Sequence, residues 1–134
     1  SNPLKKNTFY IEWVHPQKSR AVSKLNLYKG GLTMALERNI ERKLVSGVKA
    51  MGGIAYKWVS PGNTGVPDRI VIFPDGKIEF VELKTETNKP TPLQTAQMKR
   101  LQHMNCVVYV LRGETAVNEY LDVHSIRLGV EWKP

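Results

Sequence analysis

The stretch "RIVIFPDGKIEFVELK", residues 69–84, constrains this chain more than any other. Residues 69–73 are an apolar run bounded by a turn, and residues 77–84 read as a returning strand. Pro74-Asp75-Gly76 joins them, with glycine where a left-handed residue is wanted, so the two runs form a hairpin. Its ends carry charge. Asp68 precedes the first run, and Glu82 and Lys84 close the second. Such charges on core strands are costly unless they are paired or bind something. Counted from Asp75, Asp68 lies as far before the turn as Glu82 lies after it. An antiparallel pair therefore sets the two roughly opposite each other, give or take one residue for a bulge. Glu82 and Lys84 are two apart and share a face. Two carboxylates and an ammonium converge at one end of a sheet.

The segments around the hairpin complete an α/β unit. From Met34, apolar Leu36, Ile40, Leu44 and Val48 recur every four residues, an amphipathic helix that Gly52-Gly53 ends. Glu37 and Glu41 lie at the border of that stripe, where either can face a cleft, while Arg38, Arg42 and Lys49 lie toward solvent. "IAYKWV" (54–59) is a strand and "SPGNTGVP" (60–67) a loop. Thr91 begins a second helix with Pro92 at its first position, and Leu93, Gln97, Leu101 and Met104 mark its expected inner face, with Asn105 as its cap. "CVVYVL" (106–111) is a further strand and "TAVNEYLDVH" a short final helix. The order helix, three strands, helix, strand over residues 34–111 lets the second helix act as a crossover.

The first 33 residues read differently. They hold six of the twenty basic residues and one of the twelve acids. "TFYIEWV" is a candidate strand, and Gly30-Gly31 reads as a hinge before residues 34–134. This basic N-terminal arm is expected to pack on the domain or on a second copy. Ser1-Asn2 reads as a remnant of tag removal and Met34 as a candidate start codon. The net charge of +8 points toward an anionic partner such as nucleic acid. No apolar run is long enough to span a membrane. The single cysteine, Cys106, permits no intrachain disulfide and makes a reducing cytoplasmic setting the default.

Two or three crowded carboxylates repel one another, and a divalent cation removes that conflict. Mg²⁺ takes oxygen ligands and keeps several waters, and a cation so held lowers the pKa of water toward attack on phosphorus. Lys84 is placed to orient that water or to stabilise charge on the phosphate. Taken alone, an E-x-K at a strand end is ordinarily a surface ion pair, Pro-Asp a turn, and a helix glutamate a solvated residue. The coincidence of spacing, register and an acid-bearing helix favours phosphodiester hydrolysis. Thr91-Pro92-Leu93-Gln94 fits a capping box, and Gln94 is open to that role, to a substrate contact, or to both. The histidines and Cys106 show no metal-ligand spacing.

These residues resemble a known family. "ERKLVSGVKAMGG", then "SPG..GVPDRIV", then "VELK", with "TPLQTAQMKRL" following, are similar to the PD-(D/E)xK nuclease superfamily, and more specifically to the VRR-NUC family. That resemblance implies a restriction-endonuclease-like α/β core with a central mixed sheet flanked by helices. It implies Mg²⁺- or Mn²⁺-dependent DNA cleavage, with Asp68 and Glu82 as metal ligands, Lys84 as the catalytic lysine and the Leu83 carbonyl completing the shell. Glu41 matches the helix glutamate, ahead of Glu37, and Gln94 matches the glutamine after the E-x-K. Lys57, Ser60, Arg69 and Lys89 are the expected DNA contacts. Similar stand-alone proteins resemble four-way-junction resolvases of phage and bacterial recombination or repair, which implies a homodimer on branched DNA. Relatives often carry basic residues where this chain has Asn63-Thr64, and the arm has no counterpart. The rival expectation is a non-catalytic DNA-binding or partner-recruiting module on the same fold, against which the intact Asp68, Glu82 and Lys84 argue.

Overall fold

The computed structural model describes residues 11–14 and 29–133. In chain order these form β1 (Ile11–Val14), α1 (Lys29–Ala50), β2 (Ile54–Lys57), β3 (Arg69–Ile72), β4 (Ile78–Lys84), α2 (Pro92–His103), β5 (Val108–Arg112) and α3 (Gly113–Leu128). The strands make one mixed sheet in the order β1-β5-β4-β3-β2. β3 runs antiparallel to both β2 and β4, while β4, β5 and β1 run parallel. The α2 crossover between β4 and β5 is what makes their parallel pairing possible. The architecture is the expected α/β core.

The hairpin explains the register of the sheet. Phe73 N–H donates to the Lys77 carbonyl (2.9 Å), which closes a loop of Pro74, Asp75 and Gly76. Gly76 takes a φ of 86°, the left-handed conformation that a side chain would disfavour. Arg69 pairs with Val81 and Ile72 with Ile78. Extended by one step, that register sets Asp68 opposite Glu82, as the count from Asp75 requires.

Two layers of side chains hold the sheet. On one face Ile40, Leu44 and Val48 of α1 meet Val71, Val81 and Leu111 of the strands and Val117, Tyr120 and Leu121 of α3, all buried. At about 25 cal/mol per Å² of apolar surface, each such side chain contributes roughly 1.5–3 kcal/mol. On the other face Met98 of α2 packs on Val108 and Val110, with Phe80, Leu101 and Cys106 around them.

Two expectations need correction. Gly30-Gly31 lies inside α1, which begins at Lys29, so the expected hinge is helix. The two glycines are carried within a 22-residue helix whose core-facing stripe outweighs their low propensity. On α2, Leu93 and Met104 are exposed, and Met98 is the residue at the centre of the inner face. The helix carries too few apolar residues to fix its own phase; the sheet surface beneath it sets the phase. The strand of β1 extends the sheet on the β5 side, whereas the rest of the segment expected as an arm, residues 1–10 and 15–28, lies outside the described residues. Asn105, the expected cap of α2, does adopt a left-handed φ of 65°, and the next residue's N–H reaches back to the Leu101 carbonyl (3.0 Å).

Candidate active site

Asp68 and Glu82 are locked together through the backbone. The Leu83 N–H donates to Asp68 Oδ2 (2.9 Å), and the Asp68 N–H donates to Glu82 Oε1 (3.1 Å). Each carboxylate thus holds the strand that carries the other. Lys84 Nζ stands 3.2 Å from Glu82 Oε2, on the same face of β4. Glu82 is 1% exposed and Lys84 17%. A pocket of about 270 Å³ opens in front of this group, lined by Asp68, Leu83 and Lys84 from the hairpin, Glu37, Ile40 and Glu41 from α1, and Lys57 at the end of β2.

The electrostatics are unbalanced. Burial pushes the Glu82 carboxyl up to about 7, and the Asp68 charge pushes in the same direction. Lys84 opposes both without offsetting them. Glu82 Oε2 accepts no hydrogen bond of ordinary geometry, although the Lys84 ammonium is in ion contact with it. A buried carboxylate oxygen with no donor is expensive, and another cation at this place would relieve it.

The expected site residues divide into two groups. Asp68, Glu82, Leu83, Lys84, Glu41 and Lys57 come together at or directly behind the pocket wall, and Glu37 joins them. Glu41 does not pair with its helix neighbours. Its carboxylate meets the guanidinium of Arg69, which also donates to the Ala55 carbonyl (3.2 Å). Arg69 is 13% exposed, so its charge is spent inside the wall, bracing Glu41 against the sheet. Gln94 is in the capping box: its Oε1 accepts from the Thr91 N–H (2.9 Å) and its own N–H donates to Thr91 Oγ1 (3.2 Å). Ser60 lies in the loop before β3, where its Oγ accepts from Asn63 Nδ2 (3.0 Å), and Lys89 is exposed in the loop before α2. Neither lines the pocket.

The chain is 55% identical over 78 residues to "Putative nuclease p44" of Acyrthosiphon pisum secondary endosymbiont phage 1, a stretch that covers 58% of this chain and 84% of that protein. A solved structure described as a VRR_NUC domain superposes with a TM-score of 0.61 at 31% identity, over 64% of this chain and 94% of its own. The chain belongs to the VRR-NUC family. No family model matches it. Membership supports a nuclease, on a fold that generally uses divalent metals. Among the described residues no helix is long and apolar enough to cross a membrane.

The VRR-NUC site sets two carboxylates, Asp68 and Glu82, close together, donors of the kind a divalent cation takes. Among the described residues no three His, Cys, Asp or Glu side chains stand together as a ready-made cage. Mg²⁺ does not require one, since it commonly binds through one or two carboxylates and retains water. The undonated Oε2 of Glu82, its raised pKa and the facing Asp68 carboxylate fit that mode.

The loop that delivers Asp68 is itself anchored. Gly65 has a φ of 94°, and a Cβ there would stand 2.9 Å from the Leu93 carbonyl oxygen and 3.0 Å from the Gln94 nitrogen. Gln97 Nε2 adds a long bond to the Thr64 carbonyl (3.4 Å). Gly65→Ala is therefore expected to cost on the order of 1–3 kcal/mol, because backbone, not a flexible side chain, blocks the added carbon. Thermal unfolding checks this, and an unchanged midpoint would refute the close approach.

Proposed function

We propose that this chain is a Mg²⁺- or Mn²⁺-dependent DNA endonuclease that hydrolyses phosphodiester bonds, selects branched DNA such as four-way junctions, and works as a homodimer in phage or bacterial recombination or repair. The observation that supports it most is the reciprocal lock of Asp68 and Glu82, with Lys84 beside them at the floor of an open pocket. In this reading Asp68, Glu82 and the Leu83 carbonyl would hold the ion. The ion supplies a Lewis acid and a water of lowered pKa. Lys84 presents its ammonium at the pocket floor, where it stabilises charge gathering on the scissile phosphate and orients the attacking water. Glu41, braced by Arg69, faces the same space from α1 and would accept a proton there. Lys57, on the pocket rim, neutralises a neighbouring phosphate, and Ser60 and Lys89 extend that contact outward. Paired cuts in a symmetric junction need two sites in fixed relation, which a two-fold dimer supplies. To residues 1–33 we assign the building of that dimer or a grip on DNA, β1 lying at the edge of the sheet.

The test is cleavage of labelled four-way junction, flap, duplex and single-stranded DNA with Mg²⁺, Mn²⁺ or EDTA, by wild type and by Lys84→Ala. Paired symmetric cuts on the junction, absent with EDTA and reduced by about 10²–10³-fold in the variant, are expected. Metal-dependent cutting of every substrate alike would remove the junction preference. No cutting by wild type in any metal would overturn the enzyme.

A further inference from the structure

We propose that the outer face of α1 is a phosphate rail for duplex DNA, formed by Arg38, Arg42 and Lys49 and leading into the pocket. This rests on the nuclease reading and adds the path by which the substrate lies. Positions 38, 42 and 49 fall within about 40° of one another on a helix of 3.6 residues per turn. They line a shallow surface depression with Val45 and Ser46, and its inner edge is Glu41 and Arg69. Glu41 also lines the pocket, so the depression and the pocket are continuous.

The charge pattern is not that of an ordinary solvated helix face. Such faces usually alternate acids and bases four residues apart, which adds a few tenths of a kcal/mol per pair. Here Arg38 and Arg42 are like charges at that spacing, which repel. Among the described residues no acid forms an ion pair with Arg38, Arg42 or Lys49. Lys49 in the last turn complements the helix dipole, but Arg38 and Arg42, nearer the middle, do not. The two glutamates of the helix, Glu37 and Glu41, are both turned toward the pocket. Glu37 thus faces the reaction centre alone, and Glu41, paired with Arg69, stands where pocket and depression meet, while Arg38, Arg42 and Lys49 run along the flank.

The length and lining point to duplex. Arg38 to Lys49 is eleven residues, about 16 Å along the axis. At 3.4 Å per step of one strand that is roughly five base steps. No aromatic side chain lines the depression, so it offers no stacking platform for unpaired bases. Cations spaced along a straight rod suit a phosphate backbone and carry no sequence information.

The test is fluorescence anisotropy of the full chain on a labelled 30-bp duplex in EDTA, across a series of NaCl concentrations. The Arg38→Gln, Arg42→Gln, Lys49→Gln triple variant is expected to flatten the dependence of log K on log salt by about 2–3, at about 0.9 per lost contact, and to weaken binding by roughly 10–100-fold near 0.1 M salt. A control triple, Lys99→Gln, Arg100→Gln, Lys133→Gln, removes the same charge from other surfaces and is expected to leave the slope within about one contact of wild type. Arg42→Gln alone, expected to lose about one contact, gives the readout if the triple variant misfolds. An unchanged slope in the rail variants, or equal flattening in the control, overturns the rail while leaving a cleaving wild type a nuclease. Loss on a single-stranded oligonucleotide with the duplex slope intact overturns it also. Wild type that neither binds nor cuts DNA overturns the rail and the nuclease reading together.

Discussion

Asp68→Asn is expected to abolish cleavage while stabilising the metal-free protein, relative to wild type, more at alkaline than at acid pH. Asparagine keeps an oxygen to accept the Leu83 N–H, so the hairpin end stays tied. It lacks the charge that would hold a cation. Loss of one fixed electrostatic group at a reacting centre already costs about 10²–10³ in rate, and loss of a metal ligand is expected to exceed that. Stability moves the other way. The Asp68 charge is the second cause, after burial, of the raised Glu82 pKa. Removing it eases Glu82, and each pKa unit recovered is worth about 1.4 kcal/mol. The weaker neutral hydrogen bond takes back about 0.5–1 kcal/mol. The repulsion exists only when Glu82 is ionised, so the change in melting midpoint should be more positive at pH 8 than at pH 5. Equal changes at both pH values would show that Asp68 and Glu82 do not repel in the folded chain.

Such opposed effects mark residues kept for chemistry at the expense of folding, and this was the most legible part of the sequence. The Asp68–Glu82 pairing could be read because turn length fixes hairpin register, and register is arithmetic: with Phe73 and Lys77 closing the loop, 68 and 82 must meet. Lys84 followed from two-residue alternation. The α1 stripe followed from its long, regular periodicity, and Ile40, Leu44 and Val48 are all buried. The phase of α2 followed only in part: Leu101 does pack beside Met98, but over only twelve residues the exposed Leu93 and the capping Met104 gave an equally plausible stripe.

Partners from distant elements were the least legible. Glu41 has basic neighbours on its own helix, yet it bonds Arg69, twenty-eight residues away. Only the packing of α1 across β2 and β3 decides between them. Glu79 was missed altogether. It is as buried as Glu82, on the other face of β4, where its Oε1 accepts from Tyr120 Oη (2.7 Å) and contacts His124 Nε2 (2.8 Å). Arg127 Nε donates to His124 Nδ1 (3.0 Å), which leaves Nε2 as the nitrogen that donates to Glu79. The available signal was the alternation itself: Glu79 shares its face with Val81, a core position. The contrast between the two buried glutamates is informative. Glu79 has its partners and closes the sheet against α3. Glu82 has one oxygen with only the Lys84 ion contact and no well-formed hydrogen bond, and lies directly behind the pocket wall.

Glu82 should therefore dominate the pH dependence of the metal-free protein. Its carboxyl rises from an ordinary 4.5 to about 7 on folding. Between those values the folded chain binds a proton that the unfolded chain has released, so stability falls as pH rises through that window. The contribution is full below about pH 4.5 and is lost as pH passes about 7. The difference corresponds to a loss on the order of 3 kcal/mol. Denaturant unfolding in EDTA at pH 5 and pH 8 measures it, and Glu82→Gln, which cannot ionise, is expected to remove most of the slope. A wild-type slope that survives in Glu82→Gln would assign the effect to other groups. Cation binding should reverse the trend, since a ligand selective for the folded state adds stability in proportion to the logarithm of its concentration over Kd. Mn²⁺ should then stabilise wild type at pH 8 but not Glu82→Gln. At pH 6, where Glu82 is mostly protonated, its uptake should release nearly one proton, detectable by calorimetry in buffers of different ionisation enthalpy. A carboxyl held near neutrality is destabilising to an empty site and becomes a ligand once a cation displaces its proton, which couples metal occupancy to the ionisation of Glu82.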